Sequence, residues 1–256
     1  MANLMFEYAA VLGIAQKNGL SPRAAKILYP RDCYLISAGY ENEPTDRKRK
    51  VYQPNYLSFS PEAFHLEKGV NLLNSNLQSW KYFGHVDDIV RKEFTFFKIH
   101  DTYARDFLHT VGDSLKGDIF VSIHVRRTDF MDYPDLINVA TVDYFNRAMN
   151  LFREKYFSVK FVVASDDKPW SRANLTSDRG DIYFTDDNAT KCQDIAVLSH
   201  CNHSILSAGS TFGWFGAYRS LGHAIYYKGW LRHGGWYNLE LVEEDHYLPW
   251  WTDIPG

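Results

Sequence analysis

Ile119-Phe-Val-Ser-Ile-His-Val125 is a nearly continuous apolar run, bounded by Gly117-Asp118 before it and Arg126-Arg127 after it. A run of that length without polar alternation reads as a strand covered on both faces, the kind found in parallel sheets. Downstream, Thr141 precedes apolar residues at Val142, Phe145, Met149, Phe152 and Tyr156. That is helical spacing, with Thr141 as the cap and Asp143 in the positive first turn. The same reading predicts a strand over Val159–Ser165, a short helix from Pro169, a strand at Ile182-Tyr-Phe-Thr185 and a helix over 191–201. A strand at His203–Ser207, a helix from Ser210-Thr211 to Gly222 and a last strand at Ala224–Tyr227 complete the series. Repeated βα units of this length predict a parallel sheet with helices on both faces, a Rossmann-like half.

Upstream of Ile119 the pattern is less regular. An apolar helix is expected from Asn3 to Lys17, and further helical stretches over 86–97 and 101–115. The charged stretch Asp46–Lys50, with Arg47-Lys-Arg-Lys50 in it, reads as a solvated loop rather than a phosphate patch. One boundary is expected near Gly117, giving an N-terminal half over 1–117 and a C-terminal half over 118–256.

The 256 residues are 45% apolar and 23% charged, enough to bury a sizeable core, which excludes a disordered or collagen-like chain. The net charge of −3 carries no basic footprint for nucleic acid. No window approaches about 18 consecutive apolar residues, so no membrane span is expected and the chain as written reads as soluble. Cys33, Cys192 and Cys201 are too few for a disulfide framework, and their odd number leaves at least one free thiol. Asn174, Asn188 and Asn202 open glycosylation sequons in form.

In open α/β sheets, ligands sit beyond the carboxyl ends of the strands. Three such ends here are unusually polar. His124-Val-Arg-Arg-Thr-Asp129 brings two adjacent guanidiniums out of a buried strand. They are either a fork on a phosphate or a pair of salt-bridged loop arginines, and residues 126 and 127 point to opposite sides of an extended chain. Ser165-Asp166-Asp167 is the second end. The third, Ala208-Gly-Ser-Thr-Phe-Gly213, delivers two hydroxyls and free amides at a helix N-terminus, a ready anion site. Paired with an arginine from a neighbouring strand, it favours a diphosphate cradle.

These segments, in order and spacing, resemble the α-1,2-fucosyltransferase family, glycosyltransferase family 11. The resemblance runs through His124–Asp129, Ala164-Ser-Asp-Asp-Lys-Pro-Trp170 and Asp194-Ile-Ala-Val-Leu-Ser-His-Cys201 on to Ser210-Thr-Phe-Gly-Trp-Phe-Gly-Ala217. Asn3-Leu-Met-Phe-Glu-Tyr-Ala-Ala10 and Gln78-Ser-Trp-Lys-Tyr-Phe83 resemble two further family segments, so the match covers essentially the whole chain. The resemblance implies a GT-B-like α/β fold of two Rossmann-like halves with parallel sheets. It also implies inverting, metal-independent transfer of fucose from GDP-fucose to the 2-hydroxyl of a galactose-terminated glycan, with no cofactor beyond the donor. Carried over, Arg126 would hold the donor diphosphate and Arg127 would be structural. His124 and one of Asp166 or Asp167 would meet the guanine, and Ser210, Thr211 and the Phe212 amide would complete the phosphate grip. Gln78, Lys81 and Tyr82 would lie on the acceptor side with the aromatic-rich tail Trp230–Trp251. The acceptor's general base falls among Asp129, Asp132 and Asp135, with Asp129 taken first beside Arg126 as catalytic. The family's opening strand and Gly-x-x-Gly loop should precede Asn3, where only Met1-Ala2 stands. The expectation is therefore a truncated N-terminal half, with any anchor to the Golgi, whose lumen is the implied compartment, lost with the missing part.

Two other classes compete. Asp166-Asp167, Asp186-Asp187 and Asp132 with Asp135 could be assembled into a magnesium site, and His200, Cys201 and His203 superficially suggest zinc. Neither spacing suits a metal, because adjacent carboxylates diverge and no second Cys/His cluster follows. A non-catalytic sugar-nucleotide or glycan-binding protein of the same fold is the other alternative.

Overall fold

A computed structural model of the chain describes every residue except 26–28, 42–48, 52–56, 68, 70, 74–76 and 233–240. The chain forms two compact units. One comprises Met1–Phe97 with Leu239–Pro249, the other Lys98–Asn238 with Trp250–Gly256.

The first unit opens with α1 (Ala2–Lys17), whose Met5, Phe6, Ala9 and Ile14 are fully buried. Gly13 lets the helix reach the backbone of the turn at Trp80–Tyr82, since a Cβ there would sit 2.0 Å from the Tyr82 carbonyl oxygen. Two short parallel pairs follow. β1 (Arg23–Ala25) lies beside β2 (Gly39–Glu41), and β3 (Arg49–Val51) beside β4 (Asn71–Leu73). Of the expected charged loop, residues 46–48 lie outside the described residues, while Arg49 and Lys50 open β3 instead of closing a loop. The helix expected over 86–97 is shorter, α2 (Asp87–Glu93). Its last residue is a buried carboxylate, Glu93, which accepts from the Tyr8 hydroxyl at 2.5 Å, the Ser37 amide at 2.7 Å and the Ser37 hydroxyl. It thereby joins α1 to α2.

The second unit contains a six-stranded, all-parallel sheet. Ahead of it stands α3 (Lys98–Val111), on the N-terminal side of the boundary expected near Gly117. Then follow β5 (Ile119–Val125), α4 (Val142–Lys155), β6 (Val159–Ser165), α5 (Lys168–Asn174), β7 (Ile182–Phe184) and α6 (Lys191–His200). The series ends with β8 (His203–Leu206), α7 (Thr211–Ser220), β9 (Ala224–Lys228) and β10 (Thr252–Pro255). α3 joins this unit because Asp101 meets His200 of α6 at 2.8 Å and the Tyr103 hydroxyl donates to Asp186 at 2.6 Å. The strand order is β10-β9-β8-β5-β6-β7. The chain runs outward from β5 through β6 to β7, then returns to the other side of β5 for β8, β9 and β10. A topological switch point therefore lies between β5 and β8.

The predicted caps are made: the Thr141 hydroxyl accepts from the Tyr144 amide at 3.2 Å, and Ser210 caps α7. The last strand was expected at Ala224–Tyr227, but β10 lies beyond it on β9. Its proline fits an edge strand, where a missing ladder donor costs little. α7 also ends at Ser220, two residues before Gly222. Leu221 takes the left-handed conformation at φ 63°, while Gly222 serves a close approach in which a Cβ would stand 1.6 Å from the Asn202 carbonyl oxygen. Leu221 is 70% exposed. Leu221→Gly should therefore raise stability by about 1 kcal/mol by removing left-handed strain, read as a shift in urea midpoint.

Candidate functional site at the carboxyl edge of the six-stranded sheet

The switch point gathers the polar strand ends. Arg126, the first residue after β5, donates its amide to the Ser207 hydroxyl just past β8 at 2.9 Å, stitching the two ends together. Its guanidinium turns outward over Phe130, with Nη2 2.7 Å from Asp129 Oδ2 and Nη1 3.1 Å from Asp166 Oδ2. Arg127 turns the other way. Its guanidinium lies 3.8 Å from the centre of the Trp170 ring, and its Nε is 3.4 Å from Asp167 Oδ2. One arginine is thus a third open to solvent, while the other is largely covered by Trp170 and Asp167.

Both acidic residues of the second strand end are engaged. Asp166 accepts from the Arg127 amide at 2.9 Å and the Thr128 hydroxyl at 2.6 Å. Asp167 caps α5, accepting from the Trp170 amide at 3.1 Å. Of the three aspartates that follow β5, Asp129 is paired with Arg126, whereas Asp132 and Asp135 are exposed.

His124 is buried in β5. Its ring centre lies 5.0 Å from that of Phe212, and Gly213 leaves room for it, since a Cβ on Gly213 would approach His124 Nδ1 to 3.0 Å. Among the described residues Nδ1 has no hydrogen-bond partner. Burial, aided by the Arg126 charge, moves the imidazole pKa down to about 3, so the ring is neutral. The unfolded chain binds a proton below about 6.5 that the folded chain refuses, so this histidine subtracts stability as pH falls from about 6.5 toward 3. Between pH 6.5 and 5.0, His124→Gln should lose about 2 kcal/mol less stability than the parent, measured by urea unfolding at both pH values.

Ser210 caps α7 with its hydroxyl facing the Gly213 amide at 3.5 Å, and the amides of the helix's first turn point out of its N-terminal end. The turn before it depends on Gly209 at φ 48°, against which the Trp230 ring packs too closely for any Cβ. The carboxyl edge therefore combines a half-buried guanidinium, a helix N-terminus and a neutral buried imidazole. That set can bind an anion beside a flat polar group.

Asp194, on the first turn of α6, is a further residue of this kind. It opens the segment Asp194–Cys201, where an acid in a helix's first turn ordinarily answers the dipole. Its Oδ1 has no hydrogen-bond partner among the described residues. Burial raises its pKa; the Thr185 hydroxyl and the Lys168 charge oppose the rise, and the Asp186 charge adds to it. The signal in the sequence was its position, an acid between the cap Thr190 and the apolar Ile195-Ala-Val-Leu198.

The residues expected on the acceptor side lie in the first unit. The Gln78 carbonyl meets His246 Nδ1 at 2.9 Å, Lys81 Nζ pairs with Asp245 at 2.6 Å, and the buried Tyr82 hydroxyl accepts from the Ser60 amide at 2.9 Å. Ser79 adds a bond from its hydroxyl to the Asp245 carbonyl at 2.6 Å. This segment clasps the one-turn helix Glu243–His246. Trp230 packs on Gly209 and Trp251 on Trp214, while residues 233–240 of the aromatic tail lie outside the described residues.

The histidines beside Cys201 face different partners. His200 meets Asp101 and the Ala196 carbonyl, and His203 meets the Tyr156 hydroxyl at 2.6 Å. Cys201 is a buried free thiol whose pKa burial pushes up.

The family model for glycosyl transferase family 11 matches residues 1–255. Curated relatives include galactoside 2-alpha-L-fucosyltransferase Sec1 of Mus musculus, 28% identical over 99% of this chain and 71% of its own length. Galactoside alpha-(1,2)-fucosyltransferase 1 of Sus scrofa is 30% identical over 98% of this chain and 72% of its length. Galactoside alpha-(1,2)-fucosyltransferase 2 of Rattus norvegicus is 28% identical over 100% of this chain and 75% of its length. Among solved structures, POFUT1 in complex with GDP-fucose aligns with a TM-score of 0.44 at 12% identity, over 63% of this chain and 52% of that one. This chain thus spans about half of that solved chain.

Proposed function

Because the chain belongs to glycosyl transferase family 11, and is therefore a glycosyltransferase, we propose that it moves L-fucose from GDP-fucose to the 2-hydroxyl of a terminal galactoside. In this reading the anomeric carbon inverts and no metal takes part. The observation that carries the proposal is the β5–β8 switch point, where the half-buried Arg126 guanidinium and the α7 N-terminus stand at the strand ends that bind ligands in such sheets. The names of the relatives, galactoside fucosyltransferases throughout, supply the sugar and the linkage.

The donor diphosphate takes the Arg126 fork and the donors of Ser210, Thr211 and the Phe212 amide. His124 and Asp194, each with a buried polar atom that has no partner among the described residues, are the proposed guanine contacts. A carboxylate suits the adjacent N1–H and N2–H donors of guanine. Asp166 or Asp167, expected in that place, would first have to release the donors they now hold. The acceptor oxygen attacks the anomeric carbon, the bond to the β-phosphate breaks and its electron pair leaves with GDP. Fixed donors aimed at the leaving oxygens are worth about 3 to 4 kcal/mol each. Asp129 takes the acceptor proton, and Gln78, Lys81 and Tyr82 belong to the acceptor side. The Golgi lumen comes with the proposal as its compartment, on the family resemblance.

The test is transfer from GDP-fucose to lactose, with linkage analysis of the product and a parallel assay in EDTA. A 2-linked fucosyl product formed equally in both is expected. Loss in EDTA restored by manganese would overturn metal independence. GDP binding without transfer to any of several galactosides would favour the non-catalytic alternative, and UDP binding as tight as GDP would remove the guanine assignment.

A further inference from the structure

We infer that the two carboxylates on Arg126 act in opposite senses: Asp166 is a positioning residue that aims the guanidinium, and Asp129 is a counter-ion that the donor diphosphate displaces. The inference rests on the donor reading above and adds an order of events to it.

The two contacts differ in kind. Asp166 follows β6, which is paired in register with β5, so that Ser165 stands opposite Val125. Its carboxylate takes the Arg127 amide at 2.9 Å, the Thr128 hydroxyl at 2.6 Å and Arg126 Nη1 at 3.1 Å, binding three consecutive residues at once. Its side chain is 19% exposed. Removing it orphans a backbone donor and a hydroxyl together. Asp129 meets Arg126 Nη2 at 2.7 Å, and its side chain is 52% exposed on the single turn Asp129–Asp132. A carboxylate held so loosely passes into water at little cost.

A guanidinium offers its donors in one fixed plane, so a diphosphate that takes the Nη2 edge must expel whatever occupies it. Asp129 is the partner that can go. Its departure removes a negative charge from the phosphate's path and leaves a carboxylate beside the reacting centre only after the donor is seated. Donor binding therefore precedes the moment at which Asp129 can accept the acceptor's proton.

Calorimetric titration of GDP into the 256-residue chain tests this with Asp129→Asn and Asp166→Asn. Asp129→Asn should bind GDP about 3-fold more tightly, because a competing ion pair is gone, yet turn over more slowly, so donor KM and kcat fall together. Asp166→Asn should bind GDP about tenfold more weakly with a thermal midpoint near the parent's. Thr128→Val, which removes one bond to Asp166, should shift affinity the same way by less, and it replaces Asp166→Asn should that chain fail to fold. Unchanged GDP affinity in Asp129→Asn overturns the displacement, and unchanged affinity in Asp166→Asn and Thr128→Val overturns the positioning. Nitrogen-15 spectra of the ligand-free protein supply a readout independent of the donor. Hindered rotation of the Arg126 Nη groups should persist in the parent and vanish in Asp166→Asn. A parent that shows this signature but binds neither GDP nor GDP-fucose overturns the donor reading and the displacement with it. A parent that binds GDP without the signature overturns the positioning alone.

Discussion

Arg126→Ala should lose about 2 to 5 kcal/mol of donor affinity, enough to take GDP-fucose binding out of the measurable range, while the chain keeps its fold. The expectation follows from the outward turn of this side chain. Its partners, Asp129 and Asp166, are both carboxylates at the rim, and its backbone amide bond to Ser207 survives the truncation. Arg127→Ala should do the reverse. Its guanidinium covers the Trp170 ring and pairs with Asp167, so the loss appears in unfolding, with little change in donor affinity among folded molecules. Arg126→Lys should recover only part of the affinity, because an ammonium keeps the charge without the planar fork. GDP titrations of the three variants beside their urea midpoints separate binding from stability. Parental GDP affinity in Arg126→Ala would remove this arginine from the donor site.

Gly222→Ala should cost about 3 kcal/mol or more and lower the melting temperature by about 10 °C. The added methyl would meet the Asn202 carbonyl oxygen at 1.6 Å and His203 Nδ1 at 2.8 Å, and neither a backbone carbonyl nor a ring held from both sides can step aside. Asn202 also fixes the start of β5, its Oδ1 accepting from the Phe120 amide at 2.8 Å, and His203 Nδ1 accepts from the His223 amide at 3.0 Å. A displacement there would spread to β5, β8 and β9. Thermal melts decide it, and a midpoint within a degree or two of the parent's would show that the loop relaxes.

The sheet was legible because its strands are buried runs between residues that cap or break helices. Ile119–Val125 had no amphipathic alternative, and Thr141 announces its helix through a hydroxyl that accepts from the Tyr144 amide. β10 was not legible: Thr252-Asp-Ile-Pro255 carries one buried apolar residue, and its pairing with β9 is set by tertiary position rather than local pattern. The same holds for β1 to β4, three residues each, which draw their order from neighbours. At the candidate site, polarity at a strand end marked Arg126 and Ser210, because a charged or hydroxyl side chain after an apolar run is visible in one dimension. The division of labour between Asp166 and Asp129 was not visible. It depends on which donors converge on each carboxylate, and those come from residues about 40 positions away in one case and three in the other.

Both units are stitched from separated stretches of chain, the first finished by Leu239–Pro249 and the second by Trp250–Gly256, where β10 covers the open side of β9. During synthesis this makes completion a late event. A nascent chain that has emerged as far as residue 238 carries β9 as a bare sheet edge and lacks Asp245, the residue whose carboxylate holds Lys81 and the Phe59 amide. The first unit is completed only a few residues before the second, so premature termination between β9 and Leu239 yields two unfinished bodies and an edge open to other chains, a substrate for quality control rather than a smaller working enzyme.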